Sequence, residues 1–397
     1  MASLAFAGIV YLLAIREFFR TPRFSRRVII TGLVLAAVWH IDFLRMRPGA
    51  DDDIHRYVWD GRLQRLGYNP YIVVPSDPAV KGLHTRETRT LNNPDLASPY
   101  PPGAQLFFRA VTALHESTFA FKAAFVLCEL AIILVLLDVL HRKQQGAHLV
   151  LAFAWNPLLA IEVAGSGHID ILGALLLVTS LAALVRSWRA IAAFSFGLAV
   201  TVKFLPIVLL PLYWKRVRVR DAALAAFAIV LVYVPFFYHG HVPIGSLGTY
   251  VQSFRFNGPL FAALARVAPP QFLAGLAVLV GLGIATWLRS VTPEFSPDVL
   301  VWPMAASLLC APVVFPWYLL WLLPFLTSAS TLLIVVWTVS IIPTYVMWHM
   351  RTLAGTWGAL PGWVMLLEYG CVAMVGAAIA FRRIAKLPVQ CSEKEVV

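Results

Sequence analysis

The chain has 397 residues, of which 60% are hydrophobic and only 13% are charged. Soluble domains carry about 25% charged residues, so this composition excludes a soluble globular protein and indicates one that lies in a membrane. The formal net charge is +12, but the basic residues lie in short loops between apolar runs, where such residues set membrane orientation. The positive excess therefore does not indicate nucleic-acid binding, and the four cysteines show no disulfide or metal-binding spacing.

Apolar segments of the length needed to approach a membrane crossing recur along the whole chain. Several of them contain proline, which is typical of broken or tilted helices that line a cavity. No repeat of fixed period and no separate soluble domain is evident. Residues 1–397 are therefore predicted to form one all-α, polytopic transmembrane domain of about 11–13 membrane helices. The predicted segments are 2–18, 28–44, 118–140, 148–164, 169–186, 190–214, 222–238, 270–288, 299–312, 317–328, 331–348 and 363–381.

Basic clusters at the ends of these segments predict the orientation, because Lys and Arg are enriched in cytoplasmic loops. They predict that 45–117 is the first extracytoplasmic loop, that 239–269 lies on the same side and that 387–397 is a cytoplasmic tail. A single crossing over 190–214 would place the following KRVRVR run on the outer side. We therefore expect this segment to break near Lys203–Pro206 into two short helices that meet at the outer face.

The long first outer loop has helical character of its own. Its beginning, DIHRYVWDGRLQRLGYNPY, has apolar residues at near-helical spacing, with Tyr57 and Trp59 among them. Because Trp and Tyr favour the headgroup level, this pattern predicts a short amphipathic helix along the membrane interface. A proline-rich turn then leads into a second amphipathic stretch, SPYPPGAQLFFRAVTALH.

Three adjacent acids, Asp51, Asp52 and Asp53, follow the second apolar segment by only a few residues. Such a run is ordinarily a solvated loop, but a charge beside a membrane is costly, and His55 and Arg56 follow at once. A carboxylate in this position is suited to take a proton from a hydroxyl group. Clustered carboxylates are equally suited to hold a divalent metal ion, so both interpretations stay open.

Two further polar groups interrupt apolar segments. Lys203 lies too far from the basic loop for easy snorkelling, so it needs either a structural ion-pair partner or an anionic ligand such as a phosphate. Glu162 lies in an otherwise apolar helix and also needs a partner. Together with His168 and Asp170 it surrounds a Gly-Ser-Gly turn, which is either a polar hairpin tip or part of a site.

The second outer stretch contains HGHVPIGSLGTYVQSFRFNGPLF. The pair His239 and His241 is weak evidence for a metal site, because an isolated His-x-His in a loop is common. Arg255 and Asn257 are the residue types that bind phosphate or sugar hydroxyls.

An aromatic patch follows at Trp317, Tyr318 and Trp321. It is either an interfacial belt or a wall on which a sugar stacks. No nucleotide-binding or Ser-His-Asp pattern occurs in the chain, so a sugar donor would arrive on a lipid carrier and not on a nucleotide.

Several short motifs, taken in order, resemble the GT-C glycosyltransferases, and among these the bacterial polyprenol-phosphate-mannose-dependent mannosyltransferases of the cell envelope. The resemblance spans about residues 28–330. The motifs are DDIHRYVWDG, YPPGAQ, WNPLLAIEVAGSGHID, GLAVTVKFLPIVLLP, FRFNGPLF and PWYLLWLLPF.

This resemblance implies that Asp53 is the catalytic base, with Asp52 as the alternative, and that Lys203 lies near the lipid phosphate. It implies no cofactor and no obligatory metal. One departure is Phe315, since relatives often have His before the PWY motif; His168 or His241 is the expected substitute if one is needed. The residues predicted to contact the donor are Arg56, Tyr57, Glu162, His168, Lys203, Arg255, Asn257, Trp317 and Tyr318.

The function that the resemblance implies is inverting transfer of a sugar, expected to be mannose, from a polyprenyl-phosphate donor to a lipid or glycan acceptor. The predicted location is the bacterial cytoplasmic membrane, with the site on the extracytoplasmic face. A transporter or flippase of a lipid-linked or anionic solute is the alternative, because intramembrane charges such as Glu162 and Lys203 suit it equally. Nothing in the sequence supports a third possibility, a non-catalytic scaffold.

Overall fold

The computed structural model describes residues 2–48, 53–237, 242–292, 295–354 and 360–384. Within these ranges the chain is helical, with connecting loops and no strand. Each of the twelve apolar segments predicted from the sequence coincides with helical structure. The all-α, polytopic fold class predicted from composition and pattern is confirmed.

The described residues of the first half of the chain form eight α-helices, and a π-helix at Leu159–Ser166 follows the sixth. The α-helices are α1 Ala2–Arg20, α2 Arg26–Arg45, α3 Asp53–Arg65, α4 Pro102–Leu114, α5 Thr118–Arg142, α6 Val150–Ala154, α7 Asp170–Val185 and α8 Arg189–Val202.

The second half contains nine described α-helices, separated by several 3₁₀ turns. The α-helices are α9 Leu210–Tyr213, α10 Val219–Tyr233, α11 Leu247–Ser253, α12 Pro259–Leu264, α13 Pro270–Val291, α14 Val301–Leu309, α15 Leu332–Ser340, α16 Val346–Ala354 and α17 Gly362–Ile384. The 3₁₀ helices of the whole described chain are Pro78–Leu83, Ala147–Leu149, Leu205–Leu209, Val234–Phe236, Pro297–Leu300, Pro316–Trp321, Leu323–Phe325, Ala329–Thr331 and Ile342–Tyr345.

Fewer helices have the length of a full membrane crossing than the sequence predicts. Among the described residues six helical stretches are long and apolar enough, or seven if a pair bent by 60° around Pro157 counts as one span. Of the other predicted segments, α1 is continuous over 19 residues but carries Arg16, Glu17 and Arg20 near its end, and α7 and α8 are shorter than a full crossing. Several of the remaining segments are broken at proline, which cannot donate the hydrogen bond that continues a helix. The six stretches are Arg26–Arg45, Thr118–Arg142, Val219–Phe236, Pro270–Val291, Ala329–Arg351 and Gly362–Arg382.

The predicted break in segment 190–214 is confirmed. Helix α8 ends at Val202, and Lys203 has extended backbone angles. A 3₁₀ turn at Leu205–Leu209 and the short α9 follow, with Pro206 and Pro211 in their first turns. The break places the Lys203 side chain at an irregular stretch of backbone instead of along a continuous helix.

Helix α3 forms where the sequence predicts it and is buried on most sides within the protein; its position at the membrane interface stays a prediction. Tyr57 stacks on Phe108 of α4 with ring centroids 4.5 Å apart, and Trp59 stacks on His84 at 4.0 Å. Gly61 allows this close approach, since a Cβ atom there would lie 2.4 Å from the Phe108 carbonyl oxygen. The remainder of the outer loop therefore covers the face that the sequence pattern assigned to the headgroups.

Candidate active site

A cavity of about 570 Å³ lies where the first outer loop meets the broken segment and the second half of the chain. Its lining includes Asp53 at the start of α3 and Lys203 at the end of α8, which are 150 residues apart in the sequence. The structure thus brings into one cavity most of the side chains that the sequence singled out. The predicted site residues in the lining are Asp53, Arg56, Tyr57, Lys203, Arg255, Trp317 and Tyr318.

The Asp53 carboxylate is half-buried and accepts a hydrogen bond from the Asn92 side-chain amide, with Nδ2 2.5 Å from Oδ1. Asp53 is also the first residue of α3, where the helix dipole favours a negative charge. Asn92 lines the same cavity and was not identified from the sequence. Asp52, the alternative base, lies outside the described residues.

Arg56 lies at the cavity wall but is only 3% exposed, and a carboxylate compensates its charge. Its Nε donates to Asp60 Oδ1 at 2.9 Å, and its Nη2 donates to the Leu96 carbonyl oxygen at 2.8 Å. Asp60 also accepts from the Ser98 hydroxyl at 2.5 Å and from the Gln105 amide at 2.8 Å. This buried network fixes one wall of the cavity. The i, i+4 spacing of Arg56 and Asp60 is the one feature of the sequence that indicates part of this network.

Burial next to this network also affects Tyr71. Its hydroxyl donates to the Tyr100 carbonyl oxygen at 2.6 Å, and Tyr100 lines the cavity. Desolvation, together with the negative charge of Asp60, raises the pKa of Tyr71 above its ordinary value. The hydroxyl therefore stays protonated and holds the wall segment at Tyr100.

Lys203 has an ion-pair partner, one of the two possibilities that the sequence left open, and it also lines the cavity. Its Nζ lies 2.7 Å from Asp170 Oδ1 in an ion pair, and it lies over the ring of Tyr318, 3.8 Å from the centroid. The Lys203 side chain is 24% exposed, whereas that of Asp170 is 1% exposed. The carboxylate thus lies in the protein interior, and the amine of Lys203 lies between it and the cavity.

The aromatic patch forms a stack that borders the cavity. Ring centroids are 4.1 Å apart between His168 and Trp317, 4.3 Å between Trp317 and Phe315, and 4.6 Å between Phe315 and Phe256. Phe256, Phe315 and Trp317 line the cavity, whereas His168 lies behind Trp317 and is absent from the lining. Trp317 is 5% exposed, so it does not form a belt that faces lipid headgroups.

Glu162 and His168 are brought together, but away from the cavity lining. The Glu162 carboxylate lies 3.1 Å from His168 Nε2 and accepts a hydrogen bond from the Tyr345 hydroxyl. These contacts satisfy Glu162, which the sequence predicted to need a partner. His168 lies outside the cavity lining, so its role as a substitute for the His expected at Phe315 stays a prediction, and His241 lies outside the described residues.

Asn257, which the sequence predicts to contact substrate, is also absent from the cavity lining. It is buried, its φ of 53° lies in the left-handed region that Asn tolerates, and its amide donates to Glu368 Oε2 at 2.9 Å. The Tyr369 hydroxyl donates to the Asn257 carbonyl oxygen at 2.6 Å, and the Trp337 indole donates to Glu368 Oε1 at 2.7 Å. Asn257 thus attaches the segment that carries Arg255 and Phe256 to α17.

Arg255 is exposed and lies at the rim of the cavity. Its guanidinium donates to carbonyl oxygens at the end of α11, including that of Gln252 at 2.8 Å, and lies over the Phe261 ring at 4.9 Å from the centroid. Arg351, which was not identified from the sequence, also lines the cavity. It is the last residue of the apolar stretch Ala329–Arg351, a position at which an arginine commonly reaches the interface, so the sequence alone does not indicate its place in the cavity.

The possibility of a metal site rests on residues that are only partly described. In ranges 2–48, 53–237, 242–292, 295–354 and 360–384, no three His, Cys, Asp or Glu side chains converge as a metal site would require. Asp51 and Asp52 lie outside those ranges, so coordination of a metal by the acid cluster stays a prediction.

The fold and the cavity together define an integral membrane protein with a carboxylate and several cations facing one internal space. Residues 1–217, more than half of the chain, match a family model described as "Alpha-(1->6)-mannopyranosyltransferase, N-terminal domain". The chain therefore belongs to the alpha-(1→6)-mannopyranosyltransferase family, and the resemblance to mannosyltransferases is confirmed. It is a membrane protein of a glycosyltransferase family.

Two crystal structures of ArnT from Cupriavidus metallidurans are similar to this chain. The structure bound to undecaprenyl phosphate has a TM-score of 0.48 at 17% identity, and the match covers 91% of this chain and 73% of that chain. The apo structure has a TM-score of 0.40 at 17% identity, with 89% and 72% covered. No curated protein sequence matches this chain significantly.

Proposed function

We propose that this protein transfers a mannosyl residue from a polyprenyl-phosphate donor to a hydroxyl group of a lipid-linked or glycan acceptor. The observation that carries the proposal is that Asp53 and Lys203 line one cavity of about 570 Å³. A base for the acceptor and a cation for the leaving phosphate are the two groups that such a transfer needs. Family membership supports mannose as the sugar.

Asp53 acts as the general base. Its carboxylate takes the proton of the acceptor hydroxyl as that oxygen attacks the anomeric carbon. The bond between the anomeric carbon and the phosphate oxygen breaks, and the phosphate leaves with the electron pair. Attack from the face opposite the leaving group inverts the anomeric centre, so an α-linked product requires a β-linked donor.

Cations at the other side of the cavity stabilise the leaving phosphate. Lys203 is partly exposed to the cavity, and Arg255 is exposed at its rim. Arg56 contributes mainly by holding the wall, because Asp60 and the Leu96 carbonyl oxygen already occupy its donors. The negative charge that grows on the phosphate in the transition state is what these groups stabilise.

The aromatic wall suits the sugar. The rings of Phe315 and Trp317 face the cavity in one stack, and apolar ring faces pack against the C–H faces of a pyranose. The hydroxyls of Tyr250 and Tyr318 are 2.6 Å apart at the same cavity and provide donors and acceptors for sugar hydroxyls or phosphate oxygens.

The proposed location is the cytoplasmic membrane of a bacterium, with the cavity open to the extracytoplasmic side. The distribution of basic loops supports this orientation. The cavity is bordered by the first outer loop and by the second predicted outer stretch, which contributes Ser246, Tyr250 and Arg255. A lipid-linked donor reaches such a cavity laterally from the outer leaflet.

The test is transfer by the purified protein in lipid vesicles. Radiolabelled polyprenyl-phosphate-mannose and an α-mannoside acceptor are supplied, and released polyprenyl phosphate and mannosylated acceptor are measured. Because a general base contributes about 10²–10⁴-fold, Asp53→Asn loses at least about a hundredfold in kcat. Asp95→Asn, an exposed aspartate of the same loop, is the matched control and retains wild-type activity.

Near wild-type transfer by Asp53→Asn would remove Asp53 as the base. Movement of the labelled lipid across the vesicle membrane without any transfer to the acceptor would support the transporter instead.

A further inference from the structure

The ion pair between Asp170 and Lys203 has an uneven arrangement of hydrogen bonds. Asp170 Oδ1 accepts from Lys203 Nζ at 2.7 Å and from Trp321 Nε1 at 2.7 Å. Asp170 Oδ2 is buried and has no hydrogen-bond partner among the described residues. Both donors therefore bind the same oxygen of the carboxylate. The negative charge of Asp170 lies in the protein interior, next to the Lys203 amine that faces the cavity.

The local packing makes this arrangement specific. Asp170 is the first residue of α7, and Gly173 follows one turn later. A Cβ atom at Gly173 would lie 1.9 Å from the Trp321 ring, so only glycine admits the indole at this distance. The indole N–H then reaches Asp170 and orients its carboxylate toward Lys203.

The proposed reaction changes the charge of the phosphate that Lys203 meets. In the donor the phosphate is a diester with one negative charge. In the released polyprenyl phosphate it is a monoester, which carries about 1.5 to 2 negative charges near pH 7. A cation that stabilises the leaving phosphate therefore also binds the product more tightly than the donor and slows its release.

We propose that Asp170 is a positioning residue that offsets the charge of Lys203 and thereby limits the affinity of the cavity for the phosphate product. This inference rests on the proposed function, because it assumes that Lys203 meets the lipid phosphate. The charge of Arg56 is likewise offset by a buried carboxylate, that of Asp60. Two cations of the cavity are thus each backed by a buried aspartate.

A purely structural role for Asp170 predicts the opposite change in phosphate affinity when Asp170 is replaced. If Asp170 only held Lys203 and Trp321 in place, its loss would disorder Lys203 and weaken phosphate binding. If it offsets charge, removal of that charge strengthens phosphate binding, because a nearby carboxylate repels the phosphate through a medium of low dielectric constant.

The experiment measures binding of a short-chain polyprenyl phosphate to the detergent-purified full chain by isothermal titration calorimetry. Asp170→Asn keeps an oxygen that accepts from Lys203 and Trp321 but removes the charge. We expect the dissociation constant to fall by about tenfold relative to wild type. In the transfer assay, kcat falls and inhibition by added polyprenyl phosphate becomes stronger. Trp321→Phe, which removes the indole donor and leaves the carboxylate charge, shifts the dissociation constant less than Asp170→Asn does.

Lys203→Met separates failure of this inference from failure of the proposed function. If Lys203→Met weakens binding and Asp170→Asn leaves it unchanged or weaker, the phosphate site stands and the charge-offset role is overturned. If Lys203→Met binds like wild type, Lys203 does not meet the phosphate, and both proposals about it fail.

A double variant covers the case in which Asp170→Asn does not fold. Lys203→Met with Asp170→Asn removes both partners and leaves no uncompensated charge. The charge-offset role predicts that this double variant binds polyprenyl phosphate several-fold more tightly than Lys203→Met alone. Equal affinity of the two would overturn it.

Discussion

Lys122 fixes the end of the helix that leads to Asp53. It is buried in α5, and its Nζ donates to the Phe43 carbonyl oxygen at 2.9 Å and to the Met46 carbonyl oxygen at 2.8 Å. These carbonyls belong to the last turn and the C-cap of α2, where carbonyl groups lack the regular intrahelical donors; that of Phe43 also accepts from the Met46 amide N–H. The Lys122 stem also lies beside Gly167, where an added Cβ would be 3.1 Å from Lys122 Cγ.

The substitution Lys122→Met keeps the length of the side chain and removes its donor. The Met46 carbonyl oxygen then loses its Lys122 donor, whereas the Phe43 carbonyl oxygen still accepts from the Met46 amide N–H at 3.2 Å. Loss of one partly buried acceptor's partner costs about 1–3 kcal/mol in the free energy of unfolding. Because α2 precedes Asp53 by only a few residues, kcat of transfer also falls, whereas KM for the donor changes little.

The assay is the thermal unfolding midpoint of the purified protein in detergent, measured with kcat under the transfer conditions above. Lys81→Met, which alters an exposed lysine of the Pro78–Leu83 turn, is the matched control and behaves as wild type. If Lys122→Met has the midpoint and kcat of Lys81→Met, the two hydrogen bonds do not hold the segment that carries Asp53, and the reasoning is refuted.

Two further predictions concern the second half of the chain and the metal. Glu368→Ala leaves the buried Trp337 indole without its acceptor, at about 1–3 kcal/mol, and leaves the Asn257 amide only its longer hydrogen bond to the Val314 carbonyl oxygen at 3.4 Å. It also raises KM for the sugar donor, because Asn257 positions Arg255. Glu368→Gln, which keeps one acceptor, changes stability and KM less, and equal effects of the two variants would contradict this role. Transfer is expected to continue at an unchanged rate after treatment with a metal chelator; a loss that added divalent metal restores would assign the acid cluster to a metal ion.

The sequence predicts the features that depend on local pattern. Pro206 and the charge of the loops predict the break after α8, which the structure contains. Apolar spacing predicts α3, and the order of short motifs indicates the family. The joint position of Asp53 and Lys203 follows from the resemblance and not from spacing, because 150 residues separate them.

The sequence does not predict the partners that tertiary packing selects. Lys203 and Asp170 are 33 residues apart, and Asn257 and Glu368 are 111 residues apart, so no local pattern reveals either pair. The sequence pattern predicts the helix α3 but not its burial, which arises because the rest of the outer loop folds over Trp59. The sequence shows where apolar segments lie, but not where tertiary packing ends or bends a helix. It therefore does not predict how many segments form a helix long enough to cross the membrane.

The central claim is that one cavity holds the donor phosphate against Lys203 while Asp53 faces the anomeric carbon. The most direct measurement is an electron cryo-microscopy structure of the full chain with a non-transferable polyprenyl-phosphate-mannose analogue. The account predicts the phosphate within about 4 Å of Lys203 Nζ and the mannose ring between the aromatic wall and Asp53. An analogue bound outside this cavity, or with its sugar turned away from Asp53, would contradict the account.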